Sequence, residues 1–201
     1  GASGVLMDIA LATTKNSRGG PAKAAVVGSS LMGMISGTAV ANVLTTGTIS
    51  IPLMRRAGYK PSVAAGVEAV ASTGGQLMPP IMGAAAFLMA DIMDVPYLEI
   101  PAAALIPAVL FYIAVFATVH LEAVKTGLKP LDSLEVPDVS QSLLRSGHVL
   151  LSIPVFIGAL VSGYSVMYSS MAGIICLLAL SLLRPSSRMG PRQLIRAAVS
   201  A

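Results

Sequence analysis

The chain has 201 residues, 55% of them hydrophobic and 11% charged, with a formal net charge of +4 and a mean hydropathy of +0.80. A soluble domain carries about 25% charged residues, so the composition excludes an ordinary soluble globule and reads as an all-α polytopic membrane protein. The positive excess does not imply nucleic acid, because the basic residues sit at the ends of apolar runs, where membrane topology signals lie.

Runs free of Lys, Arg, Asp and Glu occupy residues 24–54, 100–121 and 146–183. The last two are long enough to cross a hydrocarbon core, which takes about 20 helical residues. The thirteen Lys and Arg form four clusters. These are Lys15, Arg18, Lys23; Arg55, Arg56, Lys60; Lys125, Lys129, Arg145; and Arg184, Arg188, Arg192, Arg196. The positive-inside rule predicts all four in the cytoplasm. Cys176, the single cysteine, lies in an apolar run and excludes an intramolecular disulfide. No charged stretch leading into a short apolar core marks a signal peptide. With no initiator Met and helix-like segments at both ends, the chain reads as part of a longer permease-like protein.

Residues 1–23 are expected to finish a preceding helix and form a cytoplasmic loop. Residues 24–54 must then leave the cytoplasm and return. One helix of that length would measure about 46 Å, too long for one span, and two full spans would be too short. The charge pattern therefore predicts a re-entrant hairpin with arms at 24–36 and 39–54 and a tip at Ser36-Gly37-Thr38. Gly37 permits the reversal, and Ser36 or Thr38 can cap the second arm.

Residues 61–92 should cross outward as a broken helix. Ser72, Thr73, Gly74, Gly75 and Gln76 precede Pro79-Pro80. Proline lacks a backbone donor and pushes the preceding Met78 out of helical geometry. The expected break lies at 72–80. Asp91, Asp94 and Glu99 mark an outer loop, and residues 101–121 cross back, with Pro107 as a potential kink. Residues 122–145 read as a cytoplasmic loop. Residues 147–183 read as two spans turned at Ser162-Gly163-Tyr164-Ser165, and 184–201 as the start of an amphipathic surface helix. Tyr59, Tyr97, Tyr164 and Tyr168 are expected near interfaces, as are His120 and His148.

Non-helical backbone at membrane depth cannot face lipid. Broken helices and re-entrant arms are how secondary transporters build their sites. Freed carbonyls and hydroxyls suit Na⁺, and half-helix N-termini suit a carboxylate. The candidate Na⁺ ligands are Ser36, Gly37, Thr38, Thr73 and Gly74. The candidate substrate-site residues are Asn42, Thr45, Thr46, Gly75, Gln76, Pro79 and Pro80. Glu68, the only acid inside an expected span, is a functional candidate or an ion-pair partner near the cytoplasmic interface. Small and hydroxylated residues also serve close helix packing, so a membrane-embedded structural or assembly protein is the alternative. There is no phosphate loop, HExxH or Cys/His ligand set. "SGTAV" resembles a serine nucleophile turn but has no His partner nearby, so an enzyme is not expected.

The stretch "GGPAKAAVVGSSLMGMISGTAVANVLTTGTISIPLMRRAGYKPSVAAGVEAVASTGGQLMPPIMGAAAFLMADI" resembles the large-subunit region of tripartite ATP-independent periplasmic (TRAP) transporters, most of all the permeases with fused small and large subunits. The likeness continues less sharply through "VPYLEIPAAALIPAVLFYIAVFATVHLEA" to "SRMG". The resemblance implies an elevator-type importer of organic acids in the bacterial inner membrane. It implies Na⁺ as coupling ion, no other cofactor, and substrate delivery by a periplasmic solute-binding protein. The small-subunit region would sit in the same full-length chain. The family's tip motif falls on Ser36, Gly37 and Thr38, and its broken-helix motif on Thr73, Gly74, Gly75, Pro79 and Pro80. Family members commonly read Ser-Gly-Ser-Ser at the tip. Here Thr38 keeps a hydroxyl and Ala39 lacks one.

Overall fold

The structure, a computed structural model, describes residues 2–128 and 139–183, which are helical with no strands. They form two compact units, Ser3–Val139 and a second from Ser140 onward. The first holds α1 (Ala2–Thr14), α2 (Gly20–Ser36), α3 (Ala39–Arg56), α4 (Pro61–Gly74), α5 (Ala84–Met93) and α6 (Glu99–Lys125). The second holds α7 (Val139–Ser146), a 3-10 stretch Gly147–Leu151, α8 (Ser152–Val161) and α9 (Val166–Leu183). The expected surface helix at 184–201, part of the 122–145 loop and the His148 side chain lie outside the described residues.

Helix α2 begins one turn before residue 24, at Gly20, because Gly19 takes a left-handed conformation (φ 70°) and Pro21 suits a helical first turn. It ends at Gly37 (φ 65°), whose N–H returns to Gly33 O at 2.9 Å. Thr38 is extended and caps α3, its Oγ1 accepting from Ala41 N at 3.3 Å. The reversal between α2 and α3 therefore uses two residues, a left-handed glycine stop and a hydroxyl start.

Helix α4 persists through Ser72, Thr73 and Gly74, and a 3-10 turn carries the chain to Leu77. The irregular segment spans 78–83, later than the 72–80 expected from sequence. A helix interior tolerates Gly at a cost of about 1 kcal/mol, whereas Pro costs about 3. Alpha-helical geometry ends at the glycine pair, and the backbone turns extended at Met78, just before the prolines. Tyr97 then closes over the segment. Its hydroxyl donates to Pro80 O at 3.3 Å and also to Ile81 O, and its ring stacks on Phe87 with centroids 4.6 Å apart. Tyr97 is buried here, as Tyr59 is; Tyr164 and Tyr168 are exposed.

Close backbone approach, with a few large side chains set against it, holds the first unit together. Gly19 packs so tightly that an added Cβ would lie 2.4 Å from Tyr59 Oη and 2.5 Å from Ala123 Cβ. The α1–α2 and α3–α4 connections and the end of α6 therefore meet at one end. Lys15, Arg18, Lys23, Arg55, Arg56, Lys60 and Lys125 gather around that end. At mid-length the Gly33 and Gly75 backbones touch: a Cβ on Gly33 would lie 2.4 Å from Gly75 Cα. On Gly74 it would lie 2.1 Å from Phe111 Cε1. The end of α4 is thus wedged between α2 and α6, and Tyr112 Oη fastens it by donating to Ala71 O at 2.9 Å. Helix α6 is long and apolar enough to cross a membrane. In the second unit α8 and α9 turn through Gly163 (φ 86°) and bury Phe156 and Leu160.

Gly33→Ala should lower the stability of the full-length protein by about 1–3 kcal/mol, the usual penalty for overpacking a filled site. Gly66→Ala, in α4 with no atom near the added methyl, should be neutral or stabilising by up to about 1 kcal/mol. Thermal unfolding of the two purified variants measures the contrast.

Candidate functional site

Glu68 lies on α4, fully buried, and four hydroxyls converge on it. Ser29 Oγ from α2 and Ser72 Oγ from α4 each donate to Oε1 at 3.0 Å. Thr46 Oγ1, from α3, also donates to Oε1. Ser50 Oγ, from α3, donates to Oε2. One carboxylate thus fastens three helices. Asn42, Thr46 and Ser50 follow each other at four-residue intervals, one face of α3. Gly47 opens the gap between them: an added Cβ would lie 3.2 Å from Glu68 Cγ.

A carboxylate offers about four acceptor positions, two on each oxygen, and no donor. Three of these hydroxyls crowd Oε1 and one meets Oε2, and Thr46 Oγ1 has Asn42 O at 2.8 Å as a second acceptor for its single proton. Hydrogen bonds to an ionised group are roughly twice as strong as neutral ones. Among the described residues no basic side chain pairs with Glu68, so the interfacial ion pair considered from sequence is not formed. Asn42 is fully buried beside this cluster, and its Nδ2 donates to Ser29 O at 2.8 Å. That amide also abuts the Gly33–Gly75 contact.

A second constellation lies at the hairpin tip. A Cβ on Gly37 would lie 2.7 Å from Met82 O, and one on Gly83 would lie 3.0 Å from Gly37 O. Gly83 N donates to Gln76 O at 2.9 Å, which folds the irregular segment back on the end of α4. Met82 is held at φ 61°, where a side chain with a Cβ is strained. Burial pushes the Tyr97 hydroxyl up to about 12, so Tyr97 remains a donor to the carbonyls of this segment at neutral pH.

The sequence candidates are distributed unevenly over these two places. Gly37 meets the broken segment directly; Ser36 Oγ and Thr38 Oγ1 stand beside it, Ser36 Oγ donating to Thr38 O at 3.4 Å. Asn42 and Thr46 belong to the Glu68 cluster, and Gly75 to the backbone contact. Gln76, Pro79 and Pro80 are half-buried around the break. Thr73 is exposed and Thr45 half-buried, and their hydroxyls donate back within their own helices, to Ala69 O at 2.7 Å and Ala41 O at 2.6 Å. Gly74 packs on Phe111 instead of facing the tip. Sequence reasoning missed Ser29, Ser50 and Ser72 as partners of Glu68. The four-residue spacing of Asn42, Thr46 and Ser50, and of Glu68 and Ser72, carried that signal. Among the described residues no three His, Cys, Asp or Glu side chains converge. The donors on offer are hydroxyl and backbone oxygens.

A family model described as tripartite ATP-independent periplasmic transporter, DctM component, matches residues 1–201. The chain belongs to that family. It is a TRAP large-permease region and a membrane protein. It is similar to the C4-dicarboxylate TRAP transporter large permease protein DctM of Pseudomonas aeruginosa, with 29% identity over 158 residues, 79% of this chain and 36% of that protein. It is also similar to the uncharacterized protein y4mL of Sinorhizobium fredii, with 35% identity over 75 residues, 37% of this chain and 18% of that protein. This TRAP chain therefore spans little more than a third of the first relative's length and less of the second's.

Glu68→Ala should strip the four hydroxyls of their shared acceptor and lower stability by at least about 3 kcal/mol, given 1.5–3 kcal/mol for each hydrogen bond to a charge. Glu68→Gln keeps the shape and should lose less. A double-mutant cycle pairing Glu68→Gln with Ser50→Ala should give a coupling energy of about 1 kcal/mol or more. Chemical or thermal unfolding reads both; additive effects would deny the bond.

Proposed function

We propose that this chain carries the first half of the transport site of a TRAP permease in the bacterial inner membrane, and that the full-length protein imports organic acids with Na⁺ as coupling ion. The single observation behind this reading is the meeting of two non-helical stretches, the hairpin tip at Gly37 and the segment ending at Met82-Gly83. Irregular backbone at membrane depth must be buried in protein or line a polar cavity. The carbonyls of Gly37 and Met82 and the hydroxyls of Ser36 and Thr38 offer oxygen donors suited to a hard monovalent ion. The start of α3, capped by Thr38, offers N–H groups and a positive helix end to a carboxylate. That chemistry agrees with the substrate named for the Pseudomonas relative, a C4-dicarboxylate. On this reading, substrate arrives from a periplasmic solute-binding protein, and the small-subunit region lies in the same full-length chain. The α2–α3 hairpin enters and leaves the bilayer from the cytoplasmic side, with its basic flanks there, and acts as a re-entrant element of an elevator-type carrier.

The full-length protein, reconstituted with its binding protein, should take up a C4-dicarboxylate only when an inward Na⁺ gradient is imposed. Ser36→Ala and Thr38→Ala should each raise the Na⁺ concentration for half-maximal uptake by about 5- to 150-fold, equivalent to about 1–3 kcal/mol. Thr73→Ala, whose hydroxyl is engaged within α4, should leave it unchanged. Uptake indifferent to Na⁺ would reject the coupling. An unaltered Na⁺ dependence in both tip variants would assign the tip hydroxyls to packing, the role they would have in a purely structural membrane protein.

A further inference from the structure

A second feature of the first unit takes no part in the transport reading. Between α2 and α6 lies a cavity of about 540 Å³, reaching from Lys23 and His120 at one end past Val27, Phe116 and Ile113 to Met78. Lys23 is 4% exposed, and its Nζ sits 5.1 Å from the centre of the Phe116 ring. Among the described residues no carboxylate pairs with it. An ammonium taken out of water calls for a compensating anion, and an aromatic face compensates only in part.

The remaining walls are nearly all aliphatic or aromatic, and Ile113 and Val109 on α6 are exposed on the outer face of the apolar helix. The Lys23 end is also the end where Lys15, Arg18, Arg55, Arg56, Lys60 and Lys125 gather. The occupant that fits carries a negative charge at one end and an aliphatic chain along the rest. A small dicarboxylate would leave most of the cavity wall without an apolar partner. We propose that this cavity holds an anionic membrane phospholipid, its phosphate against Lys23 and His120 and one acyl chain along Val27, Ile113 and Met78. A basic cluster beside an anionic leaflet favours such a lipid over a zwitterionic one.

Native mass spectrometry of the full-length protein, delipidated in mild detergent and titrated with lipid, tests this. Wild-type protein should bind one phosphatidylglycerol and discriminate against phosphatidylcholine by about tenfold or more. Lys23→Gln should weaken phosphatidylglycerol binding by about tenfold, and Lys23→Arg should restore most of it. Ala117→Trp, which fills the cavity and leaves the charge in place, should weaken it as well, and it decides the matter should Lys23→Gln fail to fold. Inorganic phosphate at millimolar concentration should not displace the lipid. Equal binding of both lipids, displacement by phosphate alone, or full binding by Ala117→Trp would overturn the proposal. So would unchanged binding by Lys23→Gln, as expected if another segment of the full-length chain covers Lys23.

Discussion

A buried carboxylate must be met by donors, and in this chain the donors come from three helices at once. Ionised groups lose several kcal/mol on leaving water, while each hydrogen bond to a charge returns about 1.5–3 kcal/mol. Bonds of that size from Ser29, Thr46, Ser50 and Ser72 offset the cost of burying Glu68. The arrangement also has direction. Sliding α3 by one residue along α4 would carry Thr46 and Ser50 away from the carboxylate together, because residues on one helix face recur only every three or four positions. The Glu68 cluster therefore fixes the register of α2 and α3 on α4, and everything at the hairpin tip inherits that register.

Close backbone contact is the second half of the same constraint. In a bilayer, lipid tails are as apolar as Leu, so helices gain little from burying large aliphatic side chains against each other. Gly33, Gly74 and Gly75 let α2, α4 and α6 approach until dispersion contacts and hydrogen bonds carry the packing. The resulting core is made of Ala22, Ala25, Ala64, Ala71 and Ala123 with Val26, Met54, Tyr59 and Val119. It has little slack, and this is why a single methyl at Gly33 is expected to matter more than one at Gly66.

The reversal at Gly37 was legible in the sequence because a glycine between two hydroxyl residues, bounded by apolar runs and basic flanks, has few other readings. The interruption after α4 was legible from Gly74-Gly75, where α geometry ends, and from Pro79-Pro80, before which the backbone turns extended. The Glu68 cluster was harder to see. Serine and threonine in a helix can bond their own backbone, pack against a neighbour or reach across to another helix, and the letters do not separate these outcomes. Thr45 and Thr46 are adjacent and identical, yet one is half-buried and bonded to its own helix while the other is fully buried on Glu68. Only the facing of α3 distinguishes them. The Gly33–Gly75 contact joins residues far apart in sequence, and nothing local to either announces it. The polar partners of Tyr97, Pro80 O and Ile81 O, were not legible either, because they exist only once the segment before α5 has folded back.

The junction between Gly37 and Gly83 is made by main chain on both sides. Long side chains that meet across an interface surrender about 1.5–2 kcal/mol of rotamer freedom each, and glycine has none to surrender. Dispersion between so few atoms is also slight, at about 0.1–0.2 kcal/mol per pair. Parting the two strands of backbone therefore neither releases much entropy nor forfeits much attraction. It is a weak latch with a small toll in either direction, set in a body whose register is held firmly elsewhere.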